Sequence, residues 1–352
     1  MRFLHYIGLL GCIAFLFGFS GTWFFSQNAA IAPKETLSEY GFFMGNPSAQ
    51  QPAPGVVPYA LNTPLFTDYA EKLRFVKVPS GQAAPYNADK VLDFPEGTIL
   101  IKTFYYPHDA RDAKKGRQLV ETRLLIHETS GWKAWDYVWN EEQTDAFLEV
   151  AGDTKPVSWI DEKGENQRVE YKVPNLNQCK GCHNQNEKLL PIGPSALQLN
   201  RNLSYGDTTE NQLLRWQRLG MLTSLPALDQ LPKMPVWNDA TTGTVEQRAR
   251  AWLDINCAHC HSPEGPARSS GLFLHWQETN ATALGMMKAP VAAGRGSGGR
   301  LYDIVPGQPD QSILVYRIES RDPGEMMPEL GRRMVHREGV QLVREWIQTL
   351  PR

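Results

Sequence analysis

Cysteine is scarce in this 352-residue chain, and so is net charge: there are five Cys, and 36 Lys+Arg stand against 38 Asp+Glu. A balanced chain lacks the basic footprint that displaces counterions from a phosphate backbone, so broad nucleic-acid binding is excluded. A second long apolar run is also missing, which excludes a multi-span membrane protein. The Gly-rich stretch at residues 293–300 lacks the Gly-Lys-Ser/Thr ending of a phosphate-cradling loop. What remains is an ordinary globular composition, 41% hydrophobic, with apolar residues enough for two or three domain cores.

The single apolar run opens the chain. Residues 3–25 carry no formal charge and only Arg2 precedes them. A basic start followed by such a run is the pattern of an export signal, and this one is long enough to span a bilayer as a helix. Ala29, Ala30 and Ala32 could support cleavage, although Pro33 makes a poor neighbour for it. Cys12 ends a Leu-Leu-Gly-Cys string that hints at a lipoprotein box, but the apolar run continues past it. Residues 1–30 are therefore expected to be a signal peptide or an inner-membrane tether, with the rest exported to the periplasm.

Residues 31–60, rich in Ala, Pro, Gln and Ser, read as a linker. From 61 to 173 the period is two. The segments 74–78, 98–106, 119–128, 133–139 and 169–173 alternate between Gly, Pro, Asp and Asn breaks, the pattern of a β-rich antiparallel domain. After Pro174 the pattern turns helical. Residues 209–212 and 244–247 look like capping boxes, and Leu213, Trp216 and Leu219 form one helical stripe. Val245, Ala249, Trp252 and Leu253 form a second stripe, and Val340, Val343, Ile347 and Leu350 a third. The expected fold class is α+β multidomain: an N-terminal antiparallel β-rich domain, then two mostly α-helical units at 174–243 and 244–352.

Four of the five cysteines fall in two identical patterns, Cys179-Lys-Gly-Cys182-His183 and Cys257-Ala-His-Cys260-His261. Two cysteines three positions apart share one side of a helical turn, where both sulfurs can add to the two vinyl groups of one haem. The next residue then turns its imidazole to the iron, which is the c-type attachment signature. A disulfide within each motif suits an oxidising compartment but leaves both histidines unexplained. A single four-sulfur zinc site needs a shorter gap between its halves, and a thioredoxin-like motif needs a βαβ context absent here. His259, inside the second motif, reads as a spacer.

On these motifs, residues 175–352 resemble dihaem c-type cytochromes, each unit similar to a class I cytochrome c domain. The whole chain looks like a bacterial family of such proteins with a β-rich N-terminal extension. The resemblance implies two haem c groups, held by Cys179, Cys182, Cys257 and Cys260 and ligated through His183 and His261. It implies that Pro194 and Pro266, each after a Gly, supply the carbonyls that orient those histidines. It also implies methionine sixth ligands: Met327 in the second unit, with Met326 as substitute, and Met234 in the first, with Met221 or an open position as alternatives. Residues 293–300 read as a flexible turn, or as a loop whose Arg295 or Arg300 meets a haem propionate. The implied activity is relay of single electrons to redox partner proteins, not enzymatic turnover. The alternative is an oxidoreductase, a dihaem peroxidase or oxidase with one haem open to a small oxidant.

Overall fold

The alternating segments fold as strands in the computed structural model, which describes residues 32–206 and 208–351. In chain order they are β1 (Val57–Pro58), β2 (Glu71–Lys77), β3 (Ala84–Pro85), β4 (Ile99–Pro107), β5 (Arg117–Glu128), β6 (Gly131–Trp139), β7 (Ala146–Glu149), β8 (Asp153–Ile160) and β9 (Asn166–Val173). Six of them form one antiparallel sheet in the order β1-β2-β4-β5-β6-β7, and β8 pairs with β9 as a separate hairpin.

Register decides what each face of the sheet does. Phe75, Ile101 and Leu124 lie opposite one another across β2, β4 and β5, and with Tyr137 they fill one face. Leu37 and Phe42 cover that face, each 1% exposed, so part of the expected linker is packed against the sheet. The other face carries Val76 and Leu100 at one end of the strands, and Phe104 at the other. Val157, Trp159 and Tyr171 of the β8–β9 hairpin close over Phe104, Tyr106 and Val120. Between these two apolar ends the same face is charged.

The two mostly α-helical units expected after Pro174 are not present. The structure is β-rich, with six α-helices among the described residues and 23% helix. They are α1 (Leu176–Cys182), α2 (Ala196–Leu199), α3 (Gln212–Arg218), α4 (Val245–Leu253), α5 (Ile313–Glu319) and α6 (Arg337–Thr349). The physical reason lies in where the apolar stripes go. Trp216 of α3 is fully buried, its ring 5.8 Å from Tyr59 and 6.1 Å from Phe94, in a core shared with Val76 and Leu100 of the sheet. A stripe that packs on a sheet needs no helical bundle around it. Residues Thr209–Asn211 pair with Asn202–Ser204 as a short ladder, and Asn211, not Thr209, caps α3.

The second capping box is formed as expected. The Thr244 hydroxyl accepts from the Gln247 N–H, and the Gln247 side chain accepts from the Thr244 N–H. Trp252 and Leu253 of α4 then pack against Val340, Val343 and Ile347 of α6. No helix among the described residues is long and apolar enough to cross a membrane. The expected signal or tether at residues 1–30 lies outside the described residues.

Asp254, just past α4, accepts from the Trp276 N–H at 2.8 Å, and burial pushes its carboxyl up to about 6. A carboxyl whose folded value exceeds its unfolded value near 3.9 binds more protons when folded, so stability falls as pH rises between the two. Urea midpoints measured from pH 4 to pH 6 should decline in the wild type. Asp254→Asn, which keeps the acceptor and drops the charge, should flatten that slope. An equal slope in both proteins rules the assignment out.

Candidate functional site

Both cysteine motifs sit at helix ends. Asn175 and Gln178 make a reciprocal capping box that starts α1, and the helix stops at Cys182, leaving His183 as its C-cap. Cys179 and Cys182 thus share one side of the last turn. The second motif is reached differently: α4 runs into a π-type turn over Asp254–Ala258, which carries Cys257. Such turns insert one residue into the helical ladder and re-aim the residues beyond it. The His261 N–H then bonds the Cys257 carbonyl at 2.8 Å.

All four thiols are free. Burial raises each of them, Cys257 and Cys260 to about 12. Disulfide exchange and nucleophilic catalysis need a depressed thiol, so these sulfurs are poorly suited to either. Among the described residues no group of three or more His, Cys, Asp and Glu is arranged around a metal ion.

Both imidazoles are fixed by hydrogen bonds at Nδ1. The Nδ1 of His183 lies 2.7 Å from the Leu190 carbonyl, and burial lowers this ring to about 3, keeping it neutral. With Nδ1–H donated to a carbonyl, Nε2 is the free lone pair. The Nδ1 of His261 lies 3.4 Å from the Ser270 hydroxyl, and burial lowers this ring too. The partners that fix the rings are therefore the Leu190 carbonyl and the Ser270 hydroxyl. Pro194 and Pro266 stand in the cavity walls instead, and the Pro194 carbonyl accepts from the Leu92 N–H.

Each motif opens onto its own cavity. The first, about 730 Å³, is lined by Cys179, Cys182 and His183. The second, about 420 Å³, is lined by Cys257, Cys260 and His261. Both volumes fall in the range of cofactor and ligand sites, about 300–1,000 Å³. Cys182, Asn256, His259 and Met327 line both, so the two cavities share a wall. Two thiols three residues apart, a neutral His beside them and an adjoining cavity together fit a thioether-linked haem at each motif.

The remaining expected residues divide. Met327 reaches the shared wall, and Met326 lines the first cavity. Met234 lines neither: it is buried at 1% exposure against Leu197, Ala251 and Trp276, with its N–H on the Leu197 carbonyl. It packs in that small core and not in either cavity wall. Arg295 bonds Asp322 at the surface at 2.5 Å, and Arg300 bonds the Asp310 carbonyl while covering Tyr316. Neither arginine lines either cavity, although Ala293, two residues before Arg295, lines the second.

Three residues were not anticipated as site residues. His259, read as a spacer, is in the shared wall, and its Nδ1 is buried without a hydrogen-bond partner among the described residues. His336 lines the first cavity, stacked on Phe66 with ring centroids 4.3 Å apart. Its Nδ1 accepts from the Trp252 indole at 2.8 Å, which puts the proton on Nε2 and makes that atom a donor, not a ligand. Lys102 lines the same cavity from the centre of β4. The available signal was a lysine in an otherwise apolar strand, Ile99-Leu-Ile-Lys102-Thr-Phe104.

No family model, curated protein or solved structure matches the chain.

Proposed function

We propose that the chain is a dihaem c-type cytochrome that relays single electrons between redox partner proteins in the periplasm. One arrangement carries this reading. Two C-x-x-C-H motifs with free, protonated thiols open onto adjoining cavities, and each adjacent histidine is tied through Nδ1 with Nε2 left over. Haem bound at these motifs supplies a one-electron iron couple.

The chain's own residues attach, orient and shield. Cys179 with Cys182, and Cys257 with Cys260, are the attachment points. His183 and His261 are the nitrogen ligands, their rings held by the Leu190 carbonyl and the Ser270 hydroxyl. Leu272, Leu274, Ile313 and Ile318 give the second cavity an apolar wall that keeps water out. Met327 in the shared wall is the sulfur ligand within reach. Intact-mass spectrometry of protein made in cells with a working haem-ligation system should return the chain plus two haems. A mass equal to the amino acids alone ends the proposal.

A specific observation favours a second reading for the first motif. Met234 is absent from that cavity, whose wall carries Arg74, Lys102, Arg123 and Asp136 beside Met326 and Met327. If Met327 serves the second haem and Met326 neither, His183 would hold an iron open to a small oxidant, as in a peroxidase or oxidase. Stoichiometric carbon monoxide uptake at one of two haems in the reduced protein selects this reading; no uptake selects pure relay. Met327→Ala should abolish the methionine-to-ferric-iron charge-transfer band and leave two haems attached. If the band survives, Met327 is not a ligand.

A further inference from the structure

The charged middle of the sheet is a single row. Arg74 on β2 stands opposite Lys102 on β4, Lys102 opposite Arg123 on β5, and Arg123 opposite Asp136 on β6. All four side chains line the first cavity. Like charges placed directly opposite across strands destabilise a sheet, and here three cations stand side by side with no break. The carboxylates nearby do not balance them. Glu121 and Asp136 are both taken by Arg123, at 2.5 and 3.5 Å. Lys102 rests instead over the Phe104 ring at 4.7 Å. Arg74 is 8% exposed, and its Nη2 is buried with no hydrogen-bond partner among the described residues. Burying unpaired cations costs several kcal/mol each, so such a row persists where a counter-charge comes to it.

We propose that Arg74 and Lys102, with Arg123 behind them, form a binding site for a carboxylate or oxyanion on the floor of the first cavity. The guanidinium of Arg74 offers a fork that matches a planar carboxylate, and Lys102 offers a compact charge beside it. Two sources could supply the anion. The far end of the row, Asp136, lies 3.5 Å from the Cys179 sulfur. Three strand spacings of about 4.8 Å put Arg74 about 14 Å from that end. A haem joined through its vinyl edge at Cys179 would carry its propionates at the opposite edge, and Arg74 and Lys102 would hold them if that edge were turned along the row. The other source is a diffusible anion entering the cavity. The propionate source rests on the haem reading above; the cation site does not.

The test uses the full-length purified protein, the wild type beside Arg74→Gln and Lys102→Met, the second chosen to keep side-chain volume. Melting temperature is followed against inorganic phosphate, with chloride at matched ionic strength as control, and the two haem midpoint potentials are titrated in parallel. A diffusible anion makes the wild-type melting temperature rise saturably with phosphate, and each variant weakens that response roughly tenfold or more. Propionates leave phosphate without effect and instead lower one of the two midpoint potentials in both variants, because a cation that disfavours the ferric state has gone. Either result supports the site and names its source. If the variants match the wild type in both measurements, the proposal is overturned. A chain that carries no haem removes only the propionate source, and the phosphate titration still decides.

Discussion

Protein carrying Cys179→Ala together with Cys182→Ala will leave the cell one haem lighter than the wild type, and it will be less stable around the first cavity. The first cavity, about 730 Å³, has walls from distant parts of the chain: Tyr59, Leu100, His183, Trp252 and His336 all face that space. With no haem to pack on, those apolar side chains lose their partner while water fills the charged floor, so the parts of the chain that meet there are held together less firmly. We expect a lowered and broadened melting transition and protease cleavage between residues 174 and 243. His183→Ala separates attachment from ligation. Its mass should fall only by the His-to-Ala difference, with both haems in place, while the reduced spectrum shows one iron that has lost its nitrogen ligand and gained affinity for carbon monoxide. If the double cysteine variant retains two haems, the first motif is not an attachment site.

The two Cys-x-x-Cys-His motifs were legible because their whole pattern lies within five residues. The strands were legible for a similar local reason: 98–106 and 119–128 alternate, and the observed β4 and β5 occupy nearly the same residues. The error about the second half had a tertiary cause. Leu213 and Trp216 repeat with a helical period whether the partner surface is a helix or a sheet, and in this chain it is a sheet. The orienting acceptors were hidden in another way. A backbone carbonyl leaves no mark in the sequence, so the role expected of Pro194 fell to Leu190, four residues earlier. Met234 and Arg295 were chosen on their immediate neighbours, a following Pro and a Gly-rich loop. Arg74, Lys102 and Arg123 come from three different strands and meet only through register. Their local signal was a charge at an inward strand position, weak at Lys102 alone and meaningful once Arg74 and Arg123 align with it.

That alignment also makes Glu121 the most sensitive single residue of the sheet. Glu121 is fully buried, accepts from Arg123 at 2.5 Å and accepts from the Tyr171 hydroxyl of β9. It is the one carboxylate that ties the charged row to the hairpin. Removing one member of a buried ion pair leaves the other desolvated and uncompensated, at a cost of about 3–5 kcal/mol. Arg123 keeps a 24% exposed side chain and a longer contact to Asp136, so Glu121→Ala should fall at the lower end, about 3 kcal/mol. Glu121→Gln keeps an acceptor for Tyr171 and loses only the charge, so it should cost less. The two variants also predict different effects at the motif. With Glu121 gone, Arg123 has only Asp136 to pair with, and Asp136 is the group beside the Cys179 sulfur. Burial holds that carboxyl above its usual range, and a fully committed Arg123 should pull it down and draw it away from the thiol that donates to it. Urea unfolding should therefore show the larger loss for Glu121→Ala, and intact-mass spectra should show a matching shortfall in haem at the first motif, with the second fully loaded. Unchanged stability in Glu121→Ala would mean that Arg123 is hydrated and that the row is not a desolvated feature at all.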